Sequence, residues 1–323
     1  MASLPMSPTE IESQFREAAE RRGISIKRLC ADGRLHRADA TGRGGKGDAA
    51  YVLHLDGCPA GGFENWRDGL GWQPWRPDVR PIMTAEERLA WRAKIEKQQK
   101  EREAAKLREM ERAEQRAAWI WEHSAPAAPD HPYLARKQIA PHGLREYCGA
   151  LVVPMRTIDG KLRSLQFIGT DGVKRFLRGG MVQGCFCIIP GACGGTGALT
   201  EGFATGATIR EATGMPVAAA FDAGNLLAVA HLLRSKYPAK PMVICADDDW
   251  KRINWLTRLP ENIGVIKALE AANAINAVAA IPVFGDGRQE GDTDFNDLGT
   301  RRGLNEVREQ IMRVLRIAMA EAA

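Results

Sequence analysis

Three short acidic stretches, each behind an apolar run, hold the chemistry that this sequence offers. Glu201-Gly202 follows Ala198-Leu199-Thr200, and Asp247-Asp248-Asp249 follows Met242-Val243-Ile244-Cys245-Ala246. Gly291-Asp292-Thr293-Asp294-Phe295-Asn296-Asp297-Leu298 comes after the apolar segment Ala277 to Phe284. Carboxylates within a few ångströms repel and raise one another's pKa, so a protein that gathers several needs a cation among them. Oxygen-only ligands suit a hard ion such as Mg²⁺, with Mn²⁺ as the alternative; Mg²⁺ keeps several waters and shares its shell with substrate phosphates. On an extended chain the side chains of Asp247 and Asp249 share one side while Asp248 points away. Glu201, Asp247 and Asp249 are therefore the first expected ligands, Asp248 is second to them, and Asp294 and Asp297 are further candidates. Any one acidic loop can equally be a solvated turn or a helix N-cap; three at successive strand ends argue for a metal site.

The apolar runs are too short for helices and fit strands of a parallel sheet covered on both faces. Between the first two lie a helical stretch (about 204–213), a second apolar run (Pro216 to Phe221) and another helical stretch (about 224–235). The order is β-α-β-α-β. Parallel strands joined this way end on one edge, where open α/β sheets bind ligands, so Glu201 should meet Asp247 and Asp249 there. A closing helix over Leu304 to Ala320 follows from Val307, Ile311, Val314, Leu315 and Met319 at three- and four-residue intervals.

A strand ending in Glu-Gly followed by a strand ending in Asp-x-Asp resembles the Toprim domain of bacterial-type primases, topoisomerases and some nucleases. The wording is most similar to the DNA primases of plasmids and phages. Their Glu-Gly strand runs into a Thr/Ala-rich helix, and their Asp-rich strand is followed by Asn-x-Gly and an Ala-rich helix, here Asn262-Ile263-Gly264 and Lys267 to Ala272. Their domain closes with Thr-Asp-Phe-Asn-Asp-Leu, here Thr293 to Leu298. The likeness runs from about His131 onward. Replicative bacterial primases carry an acid four residues after the motif glutamate; this sequence has Thr205, and Asp222 or Asp294 could compensate.

Upstream of that core, turns at Asp159-Gly160 and Asp171-Gly172 punctuate strand-like pieces at 150–154, 162–168 and 173–178, which predicts antiparallel hairpins. Lys161, Arg163, Lys174, Arg175 and Arg178 make them basic. The segment resembles the basic subdomain that precedes Toprim in primases and faces its metal site, with Lys174 at the position of their lysine and Gln166 and Arg163 on the preceding strand. A generic basic hairpin is the plainer reading.

From Thr84 to about His123 the chain is dense in Glu, Lys, Arg, Gln and Ala without Pro or Gly, which predicts a long, mostly solvated connecting helix. Before it, Ser7 starts a short amphipathic helix to Arg22, and strand-like pieces follow at 35–38, 50–55 and 61–66. The loop Thr41 to Asp48 is Gly-rich and basic but lacks the phosphate-loop spacing, so a flexible hairpin tip is expected. Trp66, Trp72 and Trp75 lie close together beside Arg67 and Arg76; a core cluster is the first reading and a base-stacking surface the second.

The 323 residues are 45% hydrophobic and 26% charged, ordinary for a globular chain, with a formal net charge of +5 that mildly favours polyanion partners. No run approaches a membrane span and no signal pattern is present, so the cytoplasm is the expected location and no membrane partner is expected. The 7 cysteines include no Cys-x-x-Cys pair, which argues against a zinc ribbon and for free thiols, with Cys185 and Cys187 in the core.

The expected fold is α/β: a Toprim core with a Rossmann-like parallel sheet, preceded by a basic α+β subdomain, a long charged connecting helix and a small α+β N-terminal domain. The expected boundaries are 1–83, 84–125, 126–194 and 195–323. The resemblance implies metal-dependent synthesis of short primers on single-stranded DNA, in plasmid or phage replication or transfer. Attack of a 3′-hydroxyl on an α-phosphate would expel pyrophosphate. Glu201, Asp247 and Asp249 would be catalytic, and Lys161, Arg163, Lys174, Arg175, Arg178 and Lys267 would bind nucleotide or DNA. The implied partners are a single-stranded template, nucleoside triphosphates and a separate helicase or replication initiator, since no Walker loop is present. A Toprim nuclease and a non-catalytic single-stranded-DNA-binding factor are the alternatives. A topoisomerase is disfavoured by the short chain and its 4 tyrosines.

Overall fold

The computed structural model describes residues 7–42, 47–55, 59–77, 85–192, 195–251, 253 and 261–321. Residues 43–46 of the expected basic hairpin tip, Cys58, the Pro81 boundary, Thr84 at the expected helix start, Cys193 and the Met319 side chain lie outside them. The chain divides into two compact units, one within Met1–Glu101 and one comprising Arg102–Arg252 and Glu261–Ala323.

In the first unit, helix α1 (Pro8–Arg21) begins with a capping box: the Glu10 N–H donates to the Ser7 hydroxyl at 3.3 Å, and the Ser7 N–H to the Glu10 carboxylate at 2.7 Å. Strands β1 (Ile24–Ser25), β2 (His36–Ala40), β3 (Ala49–His54), β4 (Ala60–Asn65) and β5 (Gln73–Trp75) pair antiparallel in sequence order. Phe15 of α1 is the centre of this core, packed among Ala19, Tyr51, Leu53 and Phe63. Of the three tryptophans, only Trp75 meets that core, its ring edge-on to Phe15 at 5.0 Å. Trp66 and Trp72 are exposed, contrary to the core expectation, and Arg37 lies 4.1 Å over the Trp66 ring. Trp66 opens the turn after β4, and Trp72 lies just before β5.

Helix α2 (Ala85–Glu122) is the long charged helix, and its residues from Arg102 on belong to the second unit. Its last turns are not solvated all round. Ala113 and Ala117 are buried, and with Ile120 and Trp121 they pack on Val152, Leu165 and Leu177. Alanines four residues apart give a narrow contact face that the surrounding charge conceals in the composition.

The second unit then builds an antiparallel sheet from β6 (Ala125–Pro126), β7 (Arg145–Tyr147), β8 (Ala150–Arg156), β9 (Leu162–Ile168) and β10 (Lys174–Phe176), with the short helix α3 (Pro132–Lys137) between β6 and β7. The Asp159-Gly160 and Asp171-Gly172 turns connect β8 to β9 and β9 to β10 as the sequence predicts.

A second sheet holds β11 (Cys187–Ile189), β12 (Gly197–Thr200), β13 (Val217–Ala219), β14 (Met242–Cys245) and β15 (Val278–Ala280). Its spatial order is β11-β13-β12-β14-β15, with β11 antiparallel at one edge and the other four parallel. The helices are α4 (Phe203–Thr213), α5 (Leu226–Lys236), α6 (Ile263–Ala274), α7 (Phe295–Arg302) and α8 (Leu304–Glu321). Alternation along the strands feeds two cores. Ala198, Val243 and Cys245 face α4, α7 and α8, while Leu199 and Ile244 face α5 and α6. In α8 the buried Val307, Ile311 and Leu315 form the expected stripe. Cys185 and Cys187 are buried core residues. Among the described residues no helix is long and apolar enough to cross a membrane.

Chain order reverses between β12 and β14: β13 lies on one side of β12, and β14 and β15 on the other. At such a switch point the loops diverge and leave a crevice beyond the strands' carboxyl ends.

Phe15→Ala is expected to destabilise the first unit by about 3–5 kcal/mol, whereas Trp66→Ala should cost about 1 kcal/mol or less. Denaturant titration followed by circular dichroism checks the ranking.

Candidate active site

Thr200, the last residue of β12, is in register with Cys245, the last residue of β14. Glu201 and Asp247 therefore leave neighbouring strands side by side at the switch point. Asp247 feels the charges of Asp294, Glu201 and Asp249 against it and that of Lys174 in its favour. Burial first, then Asp294 and Glu201, push the Asp247 carboxyl up to about 8. Its Oδ1 is buried without a hydrogen-bond partner. An orphaned carboxylate oxygen among other carboxylates is the position a divalent cation fits. Among the described residues, no three His, Cys, Asp or Glu side chains are arranged to close on one ion. That is compatible with Mg²⁺, which is usually held by one or two carboxylates together with substrate phosphates.

The Asp-rich loop is pinned from two directions. Asn262 caps α6 by accepting the Val265 N–H at 3.2 Å, and the same Oδ1 accepts the Asp249 N–H at 3.0 Å. Its amide nitrogen donates to Asp248. Two residues on, Gly264 lets the first turn of α6 approach the loop so closely that a Cβ there would overlap the Asp247 carbonyl. The Asn-x-Gly pair is thus the fastener of the acidic loop. On the other side, Arg288 donates to the Asp248 carboxylate at 2.6 Å and to the carbonyls of Asp248 and Asp292 at 3.0 and 2.8 Å. The Arg288 guanidinium lies between the rings of Trp250 and Phe284, at 4.6 and 4.8 Å. Both Asp248 oxygens are therefore engaged in holding the loop.

The third acidic stretch combines the two roles that the sequence left open. Asp294 and Asp297 form the capping box of α7, with the Asp297 N–H donating to Asp294 Oδ1 at 2.8 Å. Asp297 is further tied by Lys137 at 3.2 Å and by the Thr293 N–H at 3.0 Å. Asp294 faces the cluster; burial, then the charge of Asp297, raises its pKa, and Thr205 donates to its Oδ2 at 3.0 Å. The strand before this stretch is only Val278–Ala280, shorter than expected, and the stretch returns to the site through the Asp248 N–H to Thr293 carbonyl bond at 2.6 Å.

Of the six basic candidates, Lys174 alone is shown beside the carboxylates. Besides its effect on Asp247, its Nζ would lie 3.7 Å from a Cβ built on Gly202. Lys161 and Arg163 pair with Glu114 of α2 at 2.7 and 2.6 Å. Arg175 alternates to the opposite face of β10 and lines a cavity with Cys148, Phe167, Gly169 and Asp171. Arg178 is exposed in the turn after β10. Lys267 pairs with Glu270 on α6 at 2.7 Å. For Lys161, Arg163 and Arg175, charge and strand position are visible in the sequence, whereas the face and the long-range acid are not. Lys137, Thr205 and Arg288 were missed for the same reason, since their partners lie dozens of residues away.

The Toprim domain family matches residues 197–305, the span from β12 to the start of α8 that contains every carboxylate of this cluster. These residues are thus similar to Toprim domains. The chain is 35% identical over 300 residues to a DNA primase TraC of Escherichia coli, a match covering 85% of this chain and 27% of that protein. It is 33% identical over 271 residues to a second Escherichia coli DNA primase TraC, covering 78% of this chain and 18% of the relative. The chain thus spans about a quarter or less of the curated relatives it matches. The crystal structure of the primase fragment of bacteriophage T7 primase-helicase protein overlaps 55% of this chain and 73% of that one, with 14% identity and a TM-score of 0.41, a likeness too slight to bear on function.

The raised Asp247 pKa has a thermodynamic sign. The folded chain holds this proton up to about pH 8 and the unfolded chain releases it near pH 4. The folded state therefore binds more protons between these values, and stability falls as pH rises through that window. In ion-free buffer, Asp247→Asn should flatten the decline in melting temperature between pH 5 and 8. Mg²⁺ should raise the melting temperature of the wild-type chain at pH 8, and Asp247→Asn should abolish that rise. Calorimetric scans with and without the ion measure both effects.

Proposed function

We propose that this chain is the catalytic core of a DNA primase that joins nucleotides on a single-stranded template by metal-dependent nucleotidyl transfer. The observation that carries the reading is that Lys174 lies within electrostatic reach of Asp247, whose Oδ1 is buried and partnerless at the switch point. A basic strand of one sheet is set over the acidic edge of another, the pairing needed for a polyphosphate substrate and a cation together. The similarity to proteins named DNA primase TraC supports it. On this reading 126–194 acts as the basic subdomain and 195–323 as the Toprim domain.

Glu201, Asp247 and Asp249, with Asp294 behind them, would hold Mg²⁺ or Mn²⁺. The bound ion lowers the pKa of an attacking hydroxyl and offsets phosphate charge. Asp247 needs to be ionised for this, and Lys174 pulls its proton off while the other carboxylates retain it. Lys174 also provides a point charge for a phosphate that arrives at Gly202. Gly202 N-caps α4, so the free N–H groups of that helix's first turn lie beside the same position. Arg288, Asn262 and Lys137 hold the loops still, which keeps the cluster from relaxing apart when it is empty of substrate. The 3′-hydroxyl would give up its proton to solvent as its oxygen bonds to the α-phosphate, while the P–O bond to pyrophosphate breaks and the pyrophosphate departs. The template and nucleoside triphosphates are the implied partners, with a helicase or replication initiator as a separate protein and a plasmid or phage as the setting.

Labelled-nucleotide assays on single-stranded circular DNA with Mg²⁺ or Mn²⁺ test the reading. Wild type should yield short oligonucleotides, and Glu201→Ala and Asp247→Ala should yield none. Lys174→Ala should lower kcat/KM by about 100-fold or more. Metal-dependent nicking without synthesis would instead identify a nuclease, and DNA binding with neither activity a binding factor.

A further inference from the structure

Alternation along β10 places Lys174 and Phe176 on one face. Lys174 Nζ lies 3.7 Å from the position a Cβ would take on Gly202, at the carboxyl end of β12, so Phe176 is directed to the same edge, and it is 40% exposed. Its ring stands edge-on to that of Phe221, with centroids 6.3 Å apart and planes at 82°. Phe221 is buried, lies two residues past the end of β13, and has a φ of +76°. A bulky aromatic residue rarely adopts that conformation, and strain of this kind gathers at ligand sites. The Phe221 N–H donates to the Glu201 carbonyl at 2.7 Å. One turn therefore fixes the backbone of the motif glutamate and also aims the ring that supports Phe176.

We propose that Phe176, backed edge-on by Phe221, is the stacking surface for the base of the incoming nucleoside triphosphate whose phosphates meet Lys174. The inference rests on the nucleotidyl-transfer reading of this site. The spacing agrees: two residues along a strand advance about 6.6 Å, the order of a nucleotide's reach from its base to its 5′-phosphate. The chemistry agrees as well. Every base presents a π-face, so an aromatic platform gives affinity without choosing a base and leaves selection to pairing with the template. Phe176 is the group in contact; Phe221 is a positioning residue that acts through it. Solvation does not account for the half-exposed ring, because a polar residue at this strand position would be better hydrated than Phe.

Titration calorimetry with Mg²⁺, without template, tests the proposal using three probes: nucleoside triphosphates, inorganic tripolyphosphate and a single-stranded oligonucleotide. Phe176→Ala should weaken binding of each nucleoside triphosphate by about 10- to 100-fold, leave tripolyphosphate affinity at the wild-type value, and raise KM more than it lowers kcat. Phe176→Trp should restore affinity. Phe221→Gly suits the backbone at +76° while deleting the ring, and should weaken nucleotide but not tripolyphosphate binding, with melting curves confirming that the variant folds. The proposal is overturned if Phe176→Ala binds nucleotides like wild type, or if nucleotide and tripolyphosphate affinity fall together. A loss confined to the oligonucleotide overturns it too, since the ring would then serve the template. Wild-type protein that binds nucleotides through Phe176 but makes no primer leaves this inference standing and defeats only the primase reading.

Discussion

Mutual repulsion among carboxylates at one sheet edge is the constraint to which the rest of the second unit answers. Asp247 is largely buried and has Asp294, Glu201 and Asp249 acting against it. Left alone, such a group would move its loop towards water. The surrounding acids divide into two classes. Those at the periphery are neutralised: Asp248 by Arg288, Asp297 by Lys137 and Asp292 by Arg301 at 2.5 Å. These pairs lock the loops. Asp247, at the centre, has these carboxylates against it and the charge of Lys174 in its favour, an imbalance that a cation would offset.

Two architectural facts make that concentration possible. The reversal of strand order puts β12 and β14 next to each other with their carboxyl ends in register, so Glu201 and Asp247 converge without any local sequence relation. The antiparallel sheet, packed through a shared core that includes Val153, Met155 and Ile189, then brings β10 over the same edge. Helix α2 contributes indirectly. By pairing Glu114 with Lys161 and Arg163 and burying Ala113 and Ala117, it supports one face of that sheet and leaves Lys174 and Phe176 on a strand free to meet the cluster.

What could be read from the sequence follows the range of the interactions. The β-α-β-α-β order, the hairpin turns, the Ser7 cap and the α8 stripe depend on residues within a turn or two of one another, and all are present in the structure. The convergence of Glu201 with Asp247 was also legible, because the rules that join parallel strands are general. The roles of individual charges were not. Asp248 and Asp249 are adjacent in sequence, yet Arg288 claims one of them from 40 residues away. Lys161 and Lys174 look alike on neighbouring hairpins, and a helical glutamate far upstream takes the first. The alanine face of α2 is hidden among charged residues that dominate every average over the helix. Packing and pairing over long separations decide such cases, and single-sequence patterns do not encode them.

Thr205 stands where the resemblance to bacterial primases would place an acid. An acid at this position would lie within hydrogen-bonding distance of Asp294, and two carboxylates sharing that space could not both stay ionised. With threonine there, the hydroxyl donates to Asp294 and stabilises its charged form. Asp222, the other residue able to stand in for the missing acid, is occupied as the N-cap of the turn Ala223–Asn225, accepting the Asn225 N–H at 3.1 Å. Asp294, by contrast, is the strongest charge acting on Asp247. On the proposed reading, a hydroxyl on α4 and a carboxylate at the cap of α7 together do the work of one acid on the helix. The negative charge of the cluster is kept while its origin moves about ninety residues along the chain.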